Sequence, residues 1–209
     1  MSAGQVPPHE GGPGWWLPPV AAREGVLNYR AEPVFERHSH DWYVEPSWSV
    51  DRLFERVRFE GAIHDPACGG GNIPTVARRH GYVSTGGDIA DRGFEGVELG
   101  DFLASTKTRE NIVSNPPYVL AEKFVTHALR VIEGRGQVAM LVRLAFLEGQ
   151  TRGRRLFGPT PPARVLIFSR RPSMPPGNSH SEAKGGKTAY CWCVWEPGYL
   201  GEPRLGWLR

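Results

Sequence analysis

Apolar residues change their spacing along this chain in a regular way. After Pro46-Ser47, Val50, Leu53, Phe54 and Val57 recur at steps of three and four, the period of one helix face. Gly61-Ala62-Ile63-His64 then leads as a short strand into Asp65, and Ile73 to His80 returns to a helical period. Tyr82 to Thr85 begins a strand that ends at Asp88, and Asn111-Ile112-Val113-Ser114 is another. Ala121 to Ile132 places Phe124, Val125, Ala128, Leu129 and Ile132 on one side of a helix. Gln137 to Val142 reads as a strand, a short helix is expected over Ala145 to Glu148, and Arg164–Phe168 and Ala189–Trp195 read as the last two strands. This alternation predicts an α/β fold, a twisted and mostly parallel sheet with helices on both faces.

Composition sets the limits of that domain. The chain has 209 residues, enough for one domain with a full core. Residues 1–35 are expected to form a Pro/Gly-rich arm whose only large apolar pair is Trp15-Trp16, and residues 36–209 a single catalytic domain. Pro172 to Lys187 is rich in Pro, Gly, Ser and Lys and reads as a long polar loop of the kind that carries function. After Trp195 only 14 residues remain, so no separate target-recognition domain is expected.

The net charge of +3 says less than its distribution. No acidic residue stands between Glu148 and Glu182, whereas Arg152, Arg154, Arg155, Arg164, Arg170 and Arg171 all do. Such a run is either a solvated basic face or a surface that meets phosphates. Three cysteines without a secretory leader argue for a reducing, cytoplasmic setting. Cys191 and Cys193 should share one face of a strand. A zinc site would need two further ligands at suitable spacing; His38 and His40 read as exposed loop residues, and no metal is expected. No apolar stretch approaches the length of a membrane span.

The candidate chemistry lies where strands are expected to end, the side on which open α/β sheets bind ligands. Asp65-Pro66-Ala67-Cys68-Gly69-Gly70-Gly71-Asn72 follows the first strand, and its glycines permit a tight turn and close backbone approach to a ligand. Asp88 stands 19 residues beyond Gly69, the spacing of a carboxylate that grips ribose hydroxyls. A dinucleotide fingerprint would want glycine where Pro74 stands, which favours a nucleoside ligand without a pyrophosphate. Asn115-Pro116-Pro117-Tyr118 follows the next strand. Two prolines cannot extend a ladder but can fix carbonyls in one direction, between an amide side chain and an aromatic ring. That arrangement suits a flat substrate bearing an NH2 group.

From Asp41 to Trp195 the chain resembles the S-adenosylmethionine-dependent amino-methyltransferases of the N6-adenine DNA type, of Rossmann-like class I fold. Asp65 to Gly71 looks like the family's cofactor loop, Asp88 like its ribose acid, and Gly100-Asp101-Phe102-Leu103 like the motif that meets the cofactor adenine. Tyr43-Val44-Glu45-Pro46 resembles the segment that closes over the methionine end, with Glu45 where a small hydroxyl residue is more usual. The resemblance implies cofactor contacts from Tyr43, Pro46, Asp65, Pro66, Ala67, Cys68, Gly69, Gly71, Asp88, Ile89, Asp101, Phe102 and Asn115, with S-adenosyl-L-homocysteine as product. It implies Asn115, Pro116, Pro117 and Tyr118 as the catalytic group, with a flipped adenine stacked on Tyr118 opposite Met174 of Pro172-Ser173-Met174. Arg152, Arg154, Arg155, Arg170, Arg171, Lys184 and Lys187, with Met174, are expected to meet DNA or, alternatively, RNA. Short or relaxed sequence specificity is expected, or a specificity partner or a homodimer. The rival readings are a methyltransferase for RNA amino groups or a protein glutamine amide, and a non-catalytic partner subunit of the same fold.

Overall fold

The computed structural model describes residues 41–177 and 186–209. The expected arm over 1–35, Trp15-Trp16, His38, His40 and Lys184 lie outside the described residues. One eight-stranded sheet runs through the rest: β1 (Ile63–Asp65), β2 (Ser84–Asp88), β3 (Glu98–Leu99), β4 (Asn111–Ser114), β5 (Val138–Arg143), β6 (Arg164–Phe168), β7 (Tyr190–Trp195) and β8 (Arg204–Leu208). Their order is β3-β2-β1-β4-β5-β7-β6-β8. Only β7 runs antiparallel to its neighbours, so the other carboxyl ends share one edge of the domain.

Four helical segments accompany the sheet: α1 (Ser47–Phe54), α2 (Asn72–Arg79), α3 (Ala121–Val131) and the single turn α4 (Gln150–Arg152), which runs on into a π-helical stretch, Gly153–Phe157. They define two cores. Val50, Leu53 and Phe54 of α1 and Ile73, Val76 and Ala77 of α2 pack on Ile63, Val113, Ala139, Leu141 and Trp192. Phe124, Val125 and Ala128 of α3 pack on Ile112, Val138, Met140, Val142, Cys191 and Cys193, on the other face. Alternate residues of β5 and β7 therefore feed opposite layers, and every residue of β4 and β7 is buried. The indole N–H groups of the buried Trp192 and Trp195 reach the carbonyls of Ser49 and Thr160, both at 3.0 Å, so neither ring buries an unpaired donor. Cys191 and Cys193 share a face as expected, with Sγ atoms 3.8 Å apart as free thiols.

The expected alternation holds, with three differences. The helix anticipated over Ala145 to Glu148 is a 3-10 turn, Leu144–Leu147. Two residues, Glu98 and Leu99, pair with β2 where the pattern showed no strand, because so short a segment has no period to read. Ala189–Trp195 is not the last strand: β8 follows and pairs in parallel with β6 along its whole length. Its sequence, Arg204-Leu205-Gly206-Trp207-Leu208, has a glycine at its centre and leaves Leu205 and Trp207 more than half exposed, so neither alternation nor burial marks it as a strand.

Candidate active site

The segment 65–72 turns from β1 into α2 through two left-handed glycines. Gly71 (φ +83°) closes the turn, and a Cβ there would lie 1.9 Å from a ring carbon of Phe94, so only hydrogen fits. Gly69 (φ +53°) lets the backbone approach Trp42, and its N–H donates to Asp88 Oδ2 at 2.9 Å. The other oxygen of Asp88 accepts from Ala90 N (3.0 Å) and Arg92 Nε (3.2 Å). Arg92 in turn lies flat on the Trp42 ring, 4.2 Å from its centroid. The resemblance pointed to Asp88 but not to Arg92 or Trp42, which no motif contains.

A cavity of about 450 Å³ opens along these strand ends. Tyr43, Pro66, Ala67, Asp88, Ile89, Asp101, Phe102 and Asn115 line it, eight of the expected cofactor residues, together with Trp42, Arg92, Gly100, Pro117, Leu120 and Phe124. Pro46, Asp65, Cys68, Gly69 and Gly71 are not among the lining residues. Phe102 is buried and tilts on Phe124 with centroids 5.2 Å apart. Asp101 is exposed, and its Oδ1 caps the next turn by accepting from Leu103 N at 2.9 Å. Cys68 is buried, and burial and the nearby Asp65 push its thiol well above the ordinary range.

Two further carboxylates, Asp65 and Glu45, are buried close to Asp88 of the lining. Asp65 is buried, accepts from Ser114 Oγ (2.7 Å) and Ala67 N (3.1 Å), and is held well above the usual carboxylate range by burial, with the Glu45 and Asp88 charges adding to it. Burial raises Glu45 as well, although two amides donate to it. Buried anions without matching cations are unfavourable, and a bound cation would relieve them.

Asn115 is fixed on one side only. Its Nδ2 donates to the Tyr43 carbonyl (2.9 Å) and to Glu45 Oε2 (2.8 Å), whereas Oδ1 is buried with no hydrogen-bond partner. The Tyr43 carbonyl can only accept and Glu45 Oε2 takes the second N–H, so the NH2 group faces them and Oδ1 is the free end. Tyr118 follows two residues after the first proline. Its ring stacks on Tyr43 (5.9 Å, 23°) and lies 5.7 Å from Tyr190, with the guanidinium of Arg143 4.8 Å from its centroid. A smaller cavity of about 230 Å³ beside it is lined by Tyr118, Arg143, Phe146 and Arg152. Arg143 Nε is buried there without a partner.

The arginines of the acid-free run divide. Arg154, Arg155, Arg170 and Arg171 are exposed, with Arg170 over Trp48 and Arg171 Nη1 3.4 Å from the Lys187 carbonyl. Arg152 instead holds its own turn together, donating to the carbonyls of Phe146 and Glu148, both at 2.7 Å. Arg164 starts β6 at the opposite edge and pairs with Glu196 at 2.7 Å. Met174 is half-buried and packs against the same core as Tyr118. The loop after β6 reaches back over the chain: Val44 N donates to Pro175 O (2.9 Å) and Gly177 N to Trp42 O (3.1 Å). Lys184 falls outside the described residues.

No family model matches the chain, and neither does any curated protein sequence. Solved structures do match. The fold is that of the class I methyltransferases. A Listeria monocytogenes protein assigned as a class I S-adenosylmethionine-dependent methyltransferase superposes with a TM-score of 0.52 at 14% identity, over 78% of this chain and 62% of its own. A Pyrococcus horikoshii protein assigned as an RNA methyltransferase gives 0.51 at 12%, over 72% and 80%. DrdV, solved in a complex with DNA, gives 0.55 at 13%, over 79% of this chain but 27% of DrdV. This chain thus spans less than two thirds of the first of these and about a quarter of the last.

Proposed function

We propose that this chain is an S-adenosylmethionine-dependent methyltransferase that acts on the exocyclic N6 amino group of adenine in DNA. The observation that supports it most directly is the buried, unpartnered Oδ1 of Asn115, a residue that lines the cavity at the strand ends. The residues fit the cofactor: Asp88 and Asp101 offer acceptors, Phe102 and Ile89 offer apolar contact, and the buried Asp65 and Glu45 offer counter-charge. Bound there, S-adenosylmethionine would supply an electrophilic methyl group.

The chain's own part is positioning. An adenine amine is a poor nucleophile because its lone pair is delocalised into the ring. Asn115 Oδ1 and the Pro116 carbonyl would accept its two hydrogens, favour a pyramidal nitrogen and aim the lone pair along one line. No strong base is needed before transfer, since the cationic product nitrogen loses a proton readily. The target base would leave the duplex at a cost of a few kcal/mol, offset by stacking at Tyr118. Because Arg143 covers that ring, its guanidinium would have to move aside or sandwich the base. Arg154, Arg155, Arg170 and Arg171 would meet the phosphates. Sequence readout would come from few side chains, or from a second copy or a specificity subunit.

Incubation with labelled cofactor and adenine-containing DNA, RNA or a glutamine peptide tests the assignment. DNA labelling at N6 supports it; labelling of RNA or peptide alone moves the chemistry to that substrate; bound cofactor with nothing labelled favours a partner subunit.

A further inference from the structure

Four side chains from three separate segments form one hydrogen-bonded chain behind Asn115. Ser47 Oγ, at the start of α1, donates to Asn72 Oδ1 (2.7 Å). Asn72, the first residue of α2 after the glycine turn, turns its NH2 to the Glu45 carbonyl (2.8 Å) and to Glu45 Oε1 (2.9 Å). The second carboxyl oxygen of Glu45 takes Asn115 Nδ2 at 2.8 Å. Glu45 is buried, at 7% exposure.

The donors and acceptors in this chain have one consistent direction. The Asn72 amide is fully satisfied, so it cannot rotate without losing its bonds to Ser47 and Glu45. Both Glu45 oxygens take an N–H, Oε1 from Asn72 and Oε2 from Asn115, so the carboxyl group meets each amide as an acceptor. Asn115 must then present NH2 to Glu45 and Tyr43, which leaves Oδ1 as the free end of the amide. A residue able both to donate and to accept at position 45 would leave the Tyr43 carbonyl alone to set that direction.

We infer that Glu45 is a positioning residue: it fixes the polarity of the Asn115 amide so that Oδ1 meets the substrate amine, and it ties that amide to the cofactor turn through Asn72. The inference rests on the proposed amine methylation for its catalytic meaning, but the side-chain geometry it states does not. Glu45→Gln is the informative change. The new NH2 group must face either Asn72 or Asn115, both of which present donors. Turning Asn115 over would satisfy the introduced amide but set Oδ1 against the Tyr43 carbonyl and put NH2 where the free acceptor was.

Two measurements test it. In 15N-labelled protein the Asn115 side-chain NH2 signal, identified by its loss in Asn115→Ala, should be protected from exchange with water, and the protection should fall at least tenfold in Glu45→Gln. With a substrate the wild type methylates, kcat should fall roughly 100-fold in Glu45→Gln, the size of effect seen when one preorganised hydrogen-bonding group is lost. KM should stay within about threefold. Added to Asn115→Ala, Glu45→Gln should lower kcat no further, because the group it orients is gone. Should Glu45→Gln fail to fold, Glu45→Asp keeps two acceptors one methylene short and should show a smaller loss of the same kind. Unchanged exchange, or equal falls in kcat with and without Asn115, overturns the inference. A wild type that transfers no methyl group while the exchange result holds overturns the function instead, and leaves the positioning intact.

Discussion

The sheet has two unlike halves. On β3-β2-β1-β4, the polar groups at the strand ends are held by directional bonds: Asp65 by Ser114, Asp88 by Gly69, Ala90 and Arg92, and Asn115 by Tyr43 and Glu45. On β5-β7-β6-β8, the cations near the same edge are exposed, or rest on aromatic rings as Arg143 and Arg170 do. Bond-making needs atoms placed to within a fraction of an ångström, so its residues are locked by packing and hydrogen bonds. Attraction to a charged polymer needs density of charge, which a mobile guanidinium supplies as well as a fixed one. Under the proposed function, one half would carry the reaction and the other would capture the polymer.

The sharpest way to separate the halves is Asn115→Ala. Loss of the acceptor should lower methyl transfer by about 10²–10³-fold, while affinity for S-adenosylmethionine, measured by calorimetry, stays within a few-fold. Equal loss of both would remove Asn115 from the target amine. Next in size is Gly71→Ala, which sets a Cβ into Phe94 at a left-handed backbone position. About 2–4 kcal/mol of stability should go, seen as a lowered unfolding midpoint, with weaker cofactor binding but an unchanged salt dependence for nucleic acid.

The capturing half should answer oppositely. Arg154→Gln with Arg155→Gln, or Arg170→Gln with Arg171→Gln, should weaken binding to any DNA sequence by about tenfold. The slope of log affinity against log salt should shrink by about one per lost phosphate contact. Cofactor affinity should not move. A slope that does not change means these arginines form a merely solvated face.

The smallest effect is in pH. Burial holds Asp65 and Glu45 above their ordinary values of 3.8 and 4.5. The folded chain therefore keeps protons that the unfolded chain gives up, and stability falls as pH rises above that range. Glu98 works the other way. Hydrogen bonds from Arg109 and then Lys107 lower it to about 2, so its contribution is complete above about pH 4.5 and disappears as pH falls toward 2. A cationic cofactor would draw protons from Asp65 and Glu45. Binding of S-adenosylmethionine should therefore tighten with rising pH and release protons, more than S-adenosylhomocysteine does. Calorimetry in buffers of different ionisation enthalpy reads this, and equal release by both ligands would remove the carboxylates as counter-charge.

In the half proposed to react, the fold and the place of the candidate residues were legible in the sequence because the motifs are local. A strand, a turn and an acid within a few residues place Asp65, Asp88 and Asn115 on successive strand ends, and eight of the expected cofactor residues line one cavity. What stayed hidden was long-range. Glu45 reaches Asn115 across 70 residues and Asn72 across 27, and only the folded chain shows which donors meet which acceptors. Arg152 read as a phosphate contact because charge is visible in a sequence and the carbonyls of Phe146 and Glu148 are not. The strand β8 was missed because an edge strand with a central glycine obeys no burial pattern.

The pairing of Trp42 and Val44 with Pro175 and Gly177 joins the segment ahead of α1 to the loop after β6. Trp42 and Tyr43 line the cavity at the strand ends, so under the proposed function one short stretch of chain would touch the cofactor on one side and the loop that follows Arg170 and Arg171 on the other.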